Sequence, residues 1–124
     1  MPIIHPPSAP THEMQATRFW QLAAPSTGSR EASVWRVELP PGTEPVPHQL
    51  TREEILVVLH GTARASLDGS VEEVAAGGAI VVPAHTPFSL VAAGSEPLVA
   101  LAYLPVGGEA KLDGGEPFTP PWAQ

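Results

Sequence analysis

The sequence predicts an all-β chain, folded as an antiparallel sandwich or barrel. Its 124 residues include 16 prolines and 11 glycines, which interrupt nearly every window long enough for the helical recurrence of apolar residues at i, i+3, i+4 and i+7. Short apolar or alternating runs recur at close intervals, and turn-forming clusters separate them. Many short strands with hairpin-length links are the mark of a closed or doubled antiparallel sheet.

Taken in order, residues 1–17 read MPIIHPPSAPTHEMQAT, where closely spaced prolines favour extended, loosely packed chain. This segment is expected to be a mobile arm, or one that docks on a neighbour. Strands are expected at Arg18–Ala23, Glu31–Leu39, Val46–Leu50, Glu54–His60, Ala63–Leu67, Val71–Ala75, Ala79–Val82, Phe88–Ala92 and Leu98–Leu104. Together they make one barrel domain over residues 18–106. Turn signals fall between them, among them Gly61, Asp68-Gly69, Gly77-Gly78 and the prolines from Pro83 to Pro87. In SVWRVEL, strand alternation places Ser33, Trp35, Val37 and Leu39 on one face and Val34, Arg36 and Glu38 on the other. Trp35 therefore points into the core or a cavity. The run ILVVL is apolar at every position, which predicts a strand covered on both sides. Residues 107–124 form an irregular tail, with Phe118 and Trp122 pinning it to the barrel surface.

The formal charge of −7 excludes a nucleic-acid partner, because phosphate binding depends on clustered Lys and Arg. There is no cysteine, and so no disulfide, thiolate nucleophile or thiolate metal site. The N-terminus lacks the basic start and apolar run of a signal peptide, and no segment has the length of apolar chain needed to span a membrane. A cytoplasmic protein without membrane association is expected.

Chemistry concentrates in GTEPVPHQLTREEILVVLHG, residues 42–61. Its spacing resembles the first motif of the cupin superfamily, Gly-x5-His-x-His-x3-Glu-x6-Gly. Gly42, His48, Glu54 and Gly61 stand in register, while Leu50 replaces the second histidine. The second motif, Gly-x5-Pro-x-Gly-x2-His-x3-Asn, is matched by Gly77 and Pro83, with His85, Phe88 and Ala92 at its Gly, His and Asn positions. The resemblance implies a jelly-roll barrel and a divalent metal (Fe, Mn, Ni or Zn) held at its mouth by three histidines and a glutamate. Carried across position by position, only His48 and Glu54 remain as ligands. A durable metal site usually has three or more protein ligands, so metal is expected to be absent or weakly bound unless His85 folds back as a third ligand. His60, at the end of its strand, is expected to be a rim histidine bonded to backbone.

An inward glutamate among Leu and Val has its pKa raised by desolvation, and beside His48 it forms a pair suited to general acid–base chemistry or a satisfied buried contact. The expected site is a cavity for a small, partly apolar organic molecule, lined by Trp35, His48, Leu50, Glu54, Phe88 and Tyr103, with His48 and Glu54 as its catalytic pair. A metal-independent isomerase or cyclase and a ligand sensor both fit this pattern. The competing readings are a metal-dependent dioxygenase or isomerase using His48, Glu54 and His85, and a purely structural barrel. Open sheet edges and the exchangeable arm predict a homodimer.

Overall fold

The computed structural model describes residues 2–124; Met1, the first residue of the expected arm, lies outside the described residues. Eleven strands form two antiparallel sheets. They are β1 (His12–Met14), β2 (Thr17–Ala23), β3 (Ala32–Leu39), β4 (His48–Leu50), β5 (Glu54–His60), β6 (Thr62–Leu67), β7 (Ser70–Ala75), β8 (Ala79–Val82), β9 (Phe88–Ala92), β10 (Leu98–Pro105) and β11 (Ala110–Leu112). The six-stranded sheet has the order β1-β2-β3-β10-β5-β8 and the five-stranded sheet β11-β4-β9-β6-β7. From β3 to β11 the chain passes from one sheet to the other at every connection except the β6–β7 hairpin, giving the jelly roll that the resemblance implied. The regular helical structure consists of two single 3-10 turns, Pro25–Thr27 and Pro121–Ala123.

Every strand expected from the pattern forms, most with ends shifted by one or two residues. Two further strands sit outside the expected barrel limits. β1 pairs with β2 in a tight hairpin, His12 opposite Phe19 and Met14 opposite Thr17. Farther back in the same segment, the Pro2 ring occupies the space where a side chain on Gly28 would begin, so the start of the chain runs along its own barrel. β11 pairs with β4, and its Ala110 also bridges Phe118 through two backbone hydrogen bonds of 2.7 and 2.8 Å.

Alternation along β3 buries Ser33, Trp35, Val37 and Leu39 and leaves the intervening side chains half-buried. One expectation is corrected at β5. Glu54, Leu56 and Val58 are buried, but Ile55 and Val57 are only half-covered and Leu59 is 50% exposed. Each sheet of a two-layer barrel has one inner face, so an apolar run faces solvent on the other side within a single chain.

Val58, Val82, Leu98 and Leu104 are fully buried and close the core below the cavity-bearing region. Gly61 occupies a turn that excludes a side chain: its φ is +78°, and a Cβ there would lie 2.4 Å from the Pro97 carbonyl oxygen. This fixes the β5–β6 corner against the start of β10. It also explains why a glycine closes the first motif.

Candidate functional site

A cavity of about 160 Å3 opens at the end of the barrel framed by the β1–β2 hairpin, the 40–47 loop and the C-terminal tail. Five of the expected lining residues, Trp35, His48, Leu50, Glu54 and Phe88, meet on its wall. They come from β3, β4, β5 and β9, so both sheets contribute. His48 is opposite Phe88 in the β4–β9 ladder, and the two rings meet edge to face with centroids 5.4 Å apart.

Glu54 is 6% exposed, the first residue of β5, and faces inward by the same parity as Leu56 and Val58. Desolvation alone pushes its carboxyl up to about 8; among the described residues no ion pair or hydrogen bond compensates. No fully enclosed side-chain oxygen or nitrogen lacks a partner among the described residues, so the unpaired carboxyl oxygens reach the open cavity. Arg52, two residues before it, makes no ion pair with Glu54. At neutral pH and with the cavity empty, Glu54 is mostly the neutral acid, a hydrogen-bond donor.

His48 is tuned in the opposite chemical sense. Its Nδ1 lies 3.0 Å from the Val46 carbonyl oxygen, which can only accept, so that nitrogen carries the proton and Nε2 is an acceptor. Burial holds the imidazole below its ordinary pKa, with the Val46 bond opposing weakly. A neutral imidazole acceptor, from one sheet, and a neutral carboxylic acid, from the other, thus line the same apolar cavity.

Two expected residues are elsewhere. Tyr103 stands on the outer face of β10, opposite Val34 and Ile55, because Ala100, Ala102 and Leu104 take the inward positions; it does not line the cavity. His85 has φ +60°, and its N–H donates to the Leu50 carbonyl at 2.7 Å. That geometry leaves its side chain exposed, away from His48 and Glu54. His60 also differs from expectation: it is exposed and faces Glu96 at 3.6 Å rather than backbone.

The donor set does not fit the family's metal. Leu50 and Phe88 offer no lone pair, His85 is turned outward, and no group of three or more His, Asp or Glu among the described residues is placed to hold an ion.

Sequence reasoning missed the aromatic end of the cavity. Phe19 stacks on Trp122 with centroids 3.6 Å apart and planes 7° from parallel, and Trp122 meets the edge of Trp35 at 6.4 Å. Phe19 was within reach, since Thr17, Phe19 and Gln21 share a strand face. Trp122 was not, because the tail carries no period. It is anchored instead by the Gln21 side-chain amide to the Trp122 carbonyl at 3.1 Å and by the buried Ser33 hydroxyl to the Ala123 carbonyl at 2.8 Å.

Residues 35–104 match the cupin domain family. The chain belongs to that family. No curated protein matches it significantly in sequence. Among solved structures, this cupin resembles KdgF from Halomonas sp. with TM-score 0.64 and 23% identity, over 75% of this chain and 82% of that one. It resembles SPY1581, a conserved protein of unknown function from Streptococcus pyogenes, with TM-score 0.60 and 24% identity over 73% and 75%. Salicylate 1,2-dioxygenase from Pseudoaminobacter salicylatoxidans, in a structure with gentisate, superposes with TM-score 0.70 at 18% identity. There the match covers 85% of this cupin but 31% of the dioxygenase. These likenesses establish the fold.

Proposed function

We propose that this cupin binds a small, partly apolar organic molecule in its barrel cavity, without a resident metal. The observation that carries the reading is Glu54: a buried carboxyl group with no partner among the described residues, opening on an apolar cavity that His48 also lines. A polar group in such a place is costly unless something bonds to it. Pockets of this make-up, apolar walls with a few convergent polar groups, are typical of small-molecule sites.

His48 and Glu54 also supply a proton acceptor and a proton donor to the same cavity, the elements of general acid–base catalysis. Conversion of the ligand, as by an isomerase or cyclase, and simple retention, as in a sensor, differ only in whether a proton moves between these groups and the bound molecule. The metal-dependent alternative is disfavoured by the donor set, with two of the four family positions occupied by a leucine and a phenylalanine.

Self-association belongs to the same proposal. β8 is an open edge strand, and Leu59 and Val81, 50% and 52% exposed, stand on the outer face beside it, a combination that a second copy of the chain can cover.

The test is a high-resolution structure and native mass spectrometry of protein purified without an affinity tag. Organic density in contact with Glu54 and a matching mass increment are expected. A cavity filled by rearranged side chains refutes the binding reading, and stoichiometric metal that survives dialysis against a mild chelator refutes its metal-free part.

A further inference from the structure

Toward a cationic guest, both polar groups of the cavity can act as acceptors, because the guest's charge compensates an ionised Glu54. Nδ1 of His48 is committed to the Val46 carbonyl, so Nε2 presents a lone pair. Glu54 presents up to two carboxylate oxygens with no protein donor to satisfy them. No lysine or arginine lines the cavity among the described residues; the only other acidic residue on its wall is Glu44, at the exposed mouth. Lys111 belongs to a separate shallow depression with Gln49 and Asp113. The walls are aromatic, with Trp35, Trp122, Phe19 and Phe88 surrounding the same space. An organic anion placed here meets two acidic residues and no countercharge, in a poorly solvated site. An ammonium group meets two acceptors and several ring faces, and its presence removes the cost of a charged carboxylate in the cavity.

We infer that the cavity is a site for a small organic ammonium ion, its N–H groups held by Glu54 and His48 and its carbon skeleton packed among Trp35, Trp122 and Phe88. Its volume, about 160 Å3, sets the size: a protein cavity of about 150 Å3 accommodates benzene, so the guest is a single ring or a comparable aliphatic group carrying one amine. The inference rests on the reading of the cavity as a small-molecule site and adds the sign of the ligand's charge. The negative formal charge of the chain, −7, favours the approach of a cation from solution.

Three probes of nearly equal size separate the possibilities: benzylamine, benzyl alcohol and benzoate, titrated calorimetrically into the full chain and into Glu54→Gln. Benzylamine is expected to bind roughly tenfold or more tightly than benzyl alcohol, with benzoate weakest, and the advantage of the amine over the alcohol should vanish in Glu54→Gln. Benzyl alcohol or benzoate binding as well as the amine overturns the charge assignment while leaving the small-molecule site intact. An amine advantage that survives in Glu54→Gln overturns the role given to Glu54. If none of the three probes binds, the cavity reading and the charge inference fall together. The wild-type ranking is decisive even if the Gln variant does not fold.

Discussion

Replacing Glu54 with glutamine removes one ionisable group from the barrel and keeps its volume, so its effect on stability can be worked out directly. The unfolded chain ionises this carboxyl near 4.5, whereas burial in the folded state pushes it up to about 8. Between those values the folded protein binds the proton that the unfolded chain has released, and stability falls as pH rises. Each pH unit of displacement corresponds to about 1.4 kcal/mol. The penalty is therefore under about 1 kcal/mol at pH 5, roughly 3 kcal/mol at pH 7 and roughly 5 kcal/mol at pH 8.5, where it levels off. Against a total stability of about 5–15 kcal/mol for a domain, that is a large fraction. His48 acts in the other direction: its lowered pKa means that the unfolded chain takes up a proton below 6.5 more readily, so stability falls as pH drops through that range. It is present in both proteins, and their difference isolates Glu54. Urea unfolding of wild type and Glu54→Gln at pH 5, 7 and 8.5 should show the variant gaining roughly 4 kcal/mol relative to wild type across the range. Parallel profiles would refute the buried, unpartnered carboxyl, as would a variant that is unfolded at every pH.

Other consequences are accessible to simple measurements. Phe88→His returns an imidazole to the position the cupin pattern reserves for one, next to His48 in the ladder; it should raise affinity for Zn2+ or Ni2+ measurably by calorimetry, and unchanged affinity would mean that position 88 does not face the same point as His48 and Glu54. Trp122→Ala removes the stack on Phe19 and the contact with Trp35. It should cost at least about 1 kcal/mol by urea unfolding and should raise the accessibility of Trp35 to a neutral fluorescence quencher; an unaltered quenching profile would show that the tail does not cover the aromatic end. Light scattering at micromolar concentration should give twice the chain mass, and a charged residue at Leu59 or Val81 should lower it; a wild-type monomer at that concentration contradicts the homodimer.

Much of the barrel was legible in the chain because strand periodicity is a local property. Alternation in SVWRVEL named the buried face of β3 residue by residue, and the spacing from Gly42 to Gly61 announced both the family and the inward direction of His48 and Glu54. Tyr103, expected in the cavity, is an exception, because small residues such as Ala100 and Ala102 give little sign of which side of β10 faces the core. They face inward nonetheless. Their partners Val37 and Trp35 on β3 supply the bulk that they lack. Likewise, ILVVL looked doubly covered because composition reports apolarity and not what lies opposite.

What the sequence determined by itself was the succession of strands along the chain, the inner face of β3, the inward placement of His48 and Glu54 and the loss of the family's other metal ligands. The first two follow from residue type and a period of two, and the last two from the resemblance to the cupin motifs. The tertiary structure alone decided that Trp122 closes the cavity over Phe19, that His85 turns outward and that, among the described residues, no Lys or Arg side chain pairs with Glu54. Those are contacts between segments far apart in the chain. Gln21 and Trp122 are separated by 101 positions, and no local pattern encodes a meeting that exists only once both sheets have closed around a common core.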